Sequence, residues 1–124
     1  MDLLRNSNET EFLLWRFDFY IIPMVNMDGV ALGNYRGNYT GYDLNRCWLR
    51  TDPILHPEVH AIKQYVRKLS KRQPIELVVD LHGHSRRMGS FFYGNKDGKN
   101  PMVFPYVASK SSPHILFERC KFSR

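Results

Sequence analysis

The chain has 124 residues, of which 43% are hydrophobic, and this size predicts one small domain with a modest core. Its 18 Lys and Arg residues outnumber 12 Asp and Glu residues, and the resulting net charge of +6 favours acidic partners without choosing among nucleic acids, phosphates, anionic membranes and acidic peptides. Cys47 and Cys120 are too few for a disulfide-rich secreted scaffold and lack the paired spacing of a metal site. The first residues do not resemble a signal peptide, and no segment approaches the length of a membrane span, so we expect a soluble protein that is not exported.

The first half of the chain predicts a short helix, a strand and a long loop. Residues 1–14 have the pattern of the end of a helix. WRFDFYIIPMVN, from Trp15 to Asn26, is rich in aromatic and β-branched residues and predicts a strand buried on both faces, as in a parallel sheet. A turn signal at Asp28-Gly29 ends it. Residues 31–51 contain many Gly, Asn, Tyr and Arg residues without a steady period, which indicates a long ordered loop of a kind that is often functional.

The second half predicts a helix followed by further strands. HPEVHAIKQYVRKLSKRQP has apolar residues at helical spacing, with Pro57 in the first turn, Pro74 as a stop and a basic opposite face. Ile75 to His82 reads as a second buried strand, so strand, helix and strand together predict a right-handed parallel βαβ unit. GSFFYGN and HILFERCKF predict two further short strands. The fold class expected is α/β, with a partial mixed sheet that contains a parallel βαβ unit.

The stretch LVVDLHGHSRR places two histidines at the end of the second predicted strand. In open α/β sheets, ligands bind just beyond the carboxyl ends of the strands, and the long loop follows the first strand at the same edge. Imidazole groups suit a metal, whereas guanidinium and amide groups suit a carboxylate or an oxyanion. We therefore expect one site to be formed by Arg36, Asn45, Arg46, His82 and His84.

Several motifs carry a family resemblance. NMDGV, GNYRGNYTGYDLNRCW, DLHGHSRR, FFYG and FERCKFS resemble, in order and spacing, the cytosolic carboxypeptidase branch of the zinc metallocarboxypeptidases, which trim glutamates from tubulin tails and related acidic proteins. The resemblance covers roughly residues 17–123. It implies a zinc-carboxypeptidase-like fold, a Zn²⁺-dependent hydrolase located in the cytoplasm, and acidic C-terminal tails as partners, with no nucleic acid and no membrane.

The resemblance also implies a role for each site residue. His82 corresponds to the third zinc ligand, and Arg36 to the residue that polarises the scissile carbonyl and stabilises the oxyanion. Asn45 and Arg46 correspond to the pair that binds the substrate's terminal carboxylate, and His84 shapes the adjoining subsite. The implied reaction is metal-assisted hydrolysis, in which zinc activates water and a carboxylate base takes its proton.

Two parts of the family pattern are not found in this sequence. The family's first two zinc ligands form an HxxE motif upstream of the first strand, but the residues before Phe17 contain no histidine. The family's catalytic glutamate lies well downstream of the third ligand, and only 42 residues follow His82. Residues 1–124 are therefore expected to be a partial catalytic domain without its N- and C-terminal parts, inactive in isolation.

Other interpretations of the same residues stay open. His82 can be a hydrogen-bonded structural histidine, and Arg36 and Arg46 can be solvated loop residues. The chain can also be an inactive module that binds acidic C-terminal tails through these two arginines. A basic nucleic-acid-binding domain is a further alternative, because NYRGNYTGY interleaves aromatic residues with arginine.

Overall fold

The computed structural model describes residues 8–95 and 100–123, which belong to two compact units, Met1–Val78 and Val79–Arg124. The first unit contains helices α1 (Asn8–Arg16), α2 (Met27–Leu32) and α3 (Pro57–Ser70), with a 3-10 turn at Leu44–Arg46. The second contains β1 (Tyr93–Asn95), α4 (Val103–Ser111), a 3-10 turn at Phe117–Arg119 and β2 (Lys121–Ser123). None of the helices in these described ranges has the length and apolar character needed to cross a membrane.

Helix α3 confirms the helix predicted from the apolar spacing. It begins at Pro57, whose missing N–H costs nothing in the first turn, and its apolar stripe is anchored by the fully buried side chain of Val59. The chain enters the helix through a turn in which the backbone N–H of Asp52 donates to Nδ1 of His56 at 2.9 Å. Four residues of the basic face, Arg67, Lys68, Lys71 and Arg72, are exposed.

Helix α2 lies where the sequence predicted a turn. Asn26 is its N-cap, because its Oδ1 accepts a hydrogen bond from the backbone N–H of Gly29 at 3.0 Å. Gly33, with φ of +72°, ends the helix in the left-handed conformation that favours glycine. The Asp28-Gly29 signal therefore marks the first turn of a helix rather than the end of a strand.

The prediction of two long strands at the apolar runs is wrong. Trp15 and Arg16 belong to α1, and residues 17–25 and 75–82 have no regular secondary structure. Most of their apolar residues are exposed and none is buried, with Ile21 69% exposed and Leu81 89% exposed. No backbone hydrogen bond joins residues 18–25 or 75–82 to another described residue. A strand needs a neighbouring strand to pair with, and neither segment has one among these residues.

The parallel pair of strands occurs instead near the end of the chain. β1 and β2 pair in parallel, with Tyr93 opposite Lys121 and Gly94 opposite Phe122, and α4 connects them. Rings of Phe92 and Phe104 pack edge to face at 5.4 Å beside this pair. The predicted α/β class with a parallel βαβ unit is thus confirmed, but the unit is built from β1, α4 and β2. The two short strands predicted at this end of the chain are confirmed in part.

Candidate active-site loop and histidine segment

A small hairpin brings Arg36 close to Asp43. Gly37 and Asp43 form an antiparallel bridge, and within it the backbone N–H of Asn38 donates to the carbonyl of Tyr42 at 2.9 Å. Gly41 has φ of +83°, which lets the chain turn back without strain. At the open end of the hairpin, Nη1 of Arg36 lies 3.7 Å from Oδ2 of Asp43. The hairpin therefore connects the two parts of the loop that carry predicted site residues.

Asp43 also caps the 3-10 turn that carries the Asn-Arg pair. Its Oδ1 accepts from the backbone N–H of Asn45 at 3.0 Å, and its carbonyl accepts from the backbone N–H of Arg46 at 2.9 Å. Leu44 and Cys47 are buried on either side of the pair, 6% and 7% exposed. These two anchors turn Asn45 and Arg46 outwards, and both are exposed. The turn thus presents an amide and a guanidinium side by side to solvent.

The backbone that precedes the hairpin is held by Asn26. Its Nδ2 donates to the carbonyls of Gly37 at 3.1 Å and Arg36 at 3.4 Å, while its Oδ1 caps α2. Gly29 lies against this contact, and a Cβ built there would be 2.4 Å from the carbonyl oxygen of Gly37. Only glycine fits this close approach of α2 to the Gly37 backbone.

The charge of Arg36 is reinforced by its neighbours. The guanidinium lies over the ring of Tyr35, 5.3 Å from its centre. Tyr35, and to a smaller extent the carboxylate of Asp43, raise the pKa of Arg36 above its ordinary value. As an arginine, the side chain carries a permanent positive charge. Because it is 58% exposed, solvent and ligands can reach that charge.

The histidine segment lies in the second compact unit. Nε2 of His82 is 2.8 Å from Oδ2 of Asp80, and both side chains are more than half exposed. Nδ1 of His84 accepts from the backbone N–H of Arg86 at 3.1 Å, and its ring packs against Phe91 at 5.5 Å. Each histidine therefore has a local hydrogen-bond partner that restricts its ring.

The predicted site residues fall into two groups. Arg36, Asn45 and Arg46 lie together on the loop of the first unit, whereas His82 and His84 lie in the second. The convergence of these groups stays a prediction. Asp43 and Asp80 both make local contacts, and the sequence offered no direct sign that Asp43 joins Arg36 to the Asn-Arg turn.

The zinc that the motif resemblance implies requires more ligands than the described residues provide. A catalytic zinc site uses three protein ligands and keeps a fourth position open. Within residues 8–95 and 100–123, no group of three or more His, Cys, Asp and Glu side chains is arranged to hold a metal ion. His82 and Asp80 offer at most two metal ligands, so these residues alone do not fit a catalytic zinc.

Comparison with known proteins identifies the family. The sequence profile of the zinc carboxypeptidases matches residues 2–116. The chain belongs to the zinc carboxypeptidase family. It is 36% identical over 113 residues to cytosolic carboxypeptidase 6 of Mus musculus, covering 86% of this chain and 21% of that protein. It is 35% identical over 130 residues to cytosolic carboxypeptidase 3 of Bos taurus, covering 98% of this chain and 13% of that protein.

Cytosolic carboxypeptidase 2 of Xenopus tropicalis is similar to the same degree, 35% identical over 127 residues that cover 97% of this chain and 13% of that protein. The resemblance found in the motifs is confirmed, and the family match begins nearer the N-terminus than the motifs suggested. The chain spans about a fifth or less of the length of these three relatives.

Proposed function

We propose that this chain forms part of the catalytic domain of a zinc carboxypeptidase that removes C-terminal residues, in particular glutamate, from acidic protein tails such as those of tubulin. The observation that carries the proposal is the loop on which Asp43 contacts Arg36 and caps the turn of Asn45 and Arg46. Asp43 thereby lies between two cationic groups with different proposed chemical uses, Arg36 at 3.7 Å from its carboxylate and Arg46 on the turn that it caps. Family membership supports the reaction type.

Arg46 and Asn45 are proposed to bind the free C-terminus of the substrate. A guanidinium can bind a carboxylate with two parallel hydrogen bonds, and the neighbouring amide adds a further donor. Both side chains are exposed at the end of a capped turn, so a peptide terminus can reach them. An amidated terminus lacks the negative charge that this pair is proposed to bind.

Arg36 is proposed to stabilise the oxyanion. A fixed cation aimed at the carbonyl oxygen binds the tetrahedral intermediate more tightly than the ground state, and loss of one such donor costs about 10² to 10³ in kcat. Arginine is protonated at ordinary pH, and contact with Tyr35 and Asp43 raises the pKa of Arg36 further.

His82 is proposed as one ligand of the family's zinc. Its Nε2 is engaged with Asp80, which restricts the ring and leaves Nδ1 for a metal, as in the carboxylate-histidine pairs that orient zinc ligands. Zinc bound there needs further ligands from outside the described residues. His84, held against Phe91, is proposed to line the adjoining subsite.

The proposed substrate and location are supported by the charge of the chain and by its similarity to the three relatives. The net charge of +6 and the exposed arginines favour an acidic tail over nucleic acid or membrane as the partner. The names of the three relatives place those proteins in the cytosol, and we propose the cytoplasm for this protein as well.

A second candidate is a module that binds acidic C-terminal tails without cutting them. It is favoured by the exposed guanidinium groups of Arg36 and Arg46, which can bind an acidic terminus without a metal. Both candidates require a free terminal carboxylate, so an amidated peptide must fail to bind in either case. Release of the terminal residue from a free peptide distinguishes the carboxypeptidase from the binding module.

The test uses the protein at its natural length and an acidic peptide that ends in glutamate. We expect zinc-dependent release of the terminal residue, and His82→Ala should remove both bound zinc and activity. Arg46→Ala should mainly raise KM, and Arg36→Ala should mainly lower kcat. His114→Ala, which changes an exposed histidine outside the proposed site, is the matched control and should retain zinc and activity.

Full activity in His82→Ala would contradict the ligand assignment. Equal cleavage of free and amidated peptides would contradict the role of Asn45 and Arg46. Binding of the free peptide without turnover in the wild type would establish the non-catalytic candidate. The 124-residue chain alone is expected to show no turnover with added zinc.

A further inference from the structure

The side chain of Asn38 is buried and hydrogen-bonded through both its oxygen and its nitrogen. It is 1% exposed, and it lies inside the hairpin that connects Arg36 with Asp43. Its Oδ1 accepts from the backbone N–H groups of Thr40 at 3.1 Å and Tyr42 at 3.0 Å. Its Nδ2 donates to the carbonyl of Leu55 at 2.8 Å. A buried amide with both ends satisfied fixes its surroundings, because any displacement leaves a buried polar group unpaired.

Thr40 extends the same contact. Its hydroxyl lies 2.8 Å from Oδ1 of Asn38 and 2.8 Å from the carbonyl oxygen of Leu55. The hydroxyl has one hydrogen, so it donates to one of these oxygens at a time. Asn38 and Thr40 together tie the hairpin to the turn that precedes α3, a distance of 17 residues along the chain from Asn38 to Leu55.

From these contacts we infer that Asn38 is a positioning residue that sets the spacing between Arg36 and the Asn45-Arg46 turn. The inference rests on the proposed function, because it assigns those arginines to the substrate. Asn38 itself is buried and does not touch the substrate. It acts through the backbone of the hairpin at Thr40 and Tyr42 and through the carbonyl of Leu55.

The reason is that the arginines have little else to fix them. Arg36 is 58% exposed and its closest carboxylate oxygen is 3.7 Å away, which is a loose contact for an ion pair. Arg46 is exposed on a turn of three residues. Their relative position therefore depends on the backbone between them, and Asn38 holds the middle of that backbone.

Asparagine is the residue type this position requires. Aspartate keeps the acceptor for Thr40 and Tyr42 but places a second oxygen against the carbonyl of Leu55. Alanine removes all of the side-chain bonds. Asn34 is a matched comparison on the same loop, because it is exposed and its Nδ2 makes one bond, to the carbonyl of Asn38 at 3.3 Å.

The first experiment is a double-mutant cycle in the protein at its natural length, with the glutamate-terminated peptide. In the wild-type background, Arg46→Ala should raise KM by about 10-fold, as expected for loss of one charge-assisted contact. In the Asn38→Asp background the same change should raise KM by about 3-fold or less, because Arg46 is no longer in place. In the Asn34→Ala background the 10-fold effect should persist. A loss of stability alone lowers the active fraction and leaves the Arg46→Ala ratio unchanged, so equal ratios in all three backgrounds would overturn the inference.

The second experiment does not depend on activity. Amide hydrogen exchange in the same protein should become faster across residues 36–46 in Asn38→Asp and stay unchanged across α3. Unchanged exchange over residues 36–46 would overturn the inference whether or not the protein cleaves peptides. If the wild type neither binds nor cleaves the peptide, the proposed function fails, and faster exchange would leave Asn38 as an organiser of the hairpin without the substrate role inferred here.

Thr40 supplies a milder pair of variants if Asn38→Asp prevents folding. Thr40→Val removes the shared hydroxyl from an exposed residue, and Thr40→Ser retains it. In the Thr40→Val background, Arg46→Ala should raise KM by less than in the wild type, as it does in the Asn38→Asp background. In the Thr40→Ser background, the increase in KM should be as large as in the wild type. Identical behaviour of the two Thr40 variants would contradict the inference.

Discussion

Residues 26–56 and the two apolar segments 17–25 and 75–82 show opposite relations between sequence and structure. The first region is rich in Gly, Asn, Tyr and Arg, yet it contains the buried side chains Asn38, Leu44, Cys47 and His56. The apolar segments contain some of the most hydrophobic runs in the chain, yet their residues are largely exposed. A polar loop is ordered here, and apolar segments are not buried.

The difference lies in where the partners come from. The hydrogen bonds that shape the loop join residues within 26–56, from Asn26 with Gly29 to Asn38 with Leu55, so the loop supplies its own partners. An apolar strand is stabilised by neighbouring strands and by the layers that cover its faces, which lie far away in sequence. A short stretch of chain can therefore organise the first kind of region alone but not the second.

The largest expected effect tests the close packing of the loop region. Gly29→Ala should lower the free energy of unfolding by about 3 kcal/mol, because the new Cβ meets the side chain of Asn26 and the carbonyl oxygen of Gly37 within 2.6 Å. Gly33→Ala is the control: no atom lies within 4 Å of its added Cβ, but its φ of +72° costs about 1 kcal/mol. Urea denaturation followed by circular dichroism gives both values. Equal costs would show that α2 does not pack tightly against the loop.

A matched pair of valines compares the two kinds of region directly. Val59 is fully buried in α3, and Val78 is 72% exposed in the second apolar segment. Val59→Ala should lower the free energy of unfolding by about 2 kcal/mol, from lost burial and the cavity left behind. Val78→Ala should change it by less than about 0.5 kcal/mol. The same urea experiment measures both, and a cost for Val78 equal to that for Val59 would mean that the segment is packed in solution.

The smallest effect concerns the turn before α3. Backbone N–H groups of Leu55 and Ile54 donate to Oδ1 of Asp52 at 2.9 and 2.7 Å, and these bonds lower the pKa of Asp52 below its ordinary value of 3.8. A lowered pKa in the folded state stabilises the protein at pH values above 3.8, and this contribution is lost as the pH falls through the lower folded value. The wild type should therefore be slightly more stable than Asp52→Asn at neutral pH, and the difference should vanish in acid. Urea midpoints measured from neutral pH into acid follow this difference, and a pH-independent one would contradict the role of the charge.

The sequence by itself determined the features that depend on near neighbours. Apolar spacing and Pro57 predicted α3, and the motif order identified the family with its candidate residues Arg36, Asn45, Arg46 and His82. The α/β class was also predicted correctly, although the parallel pair lies at β1 and β2 rather than at the long apolar runs. These signals are local patterns of side-chain type, which the backbone expresses without distant partners.

Only the tertiary structure decided which residues organise the candidate loop. Asn38, Asp43 and Asn26 are polar residues of a kind common in any surface loop, and nothing in their spacing distinguishes them from the exposed Asn34. The hairpin buries the amide of Asn38 against Leu55 and turns Asp43 towards both Arg36 and Asn45. Burial and hydrogen bonding across 17 residues of chain arise from the path of the backbone in space, and side-chain type alone does not specify that path.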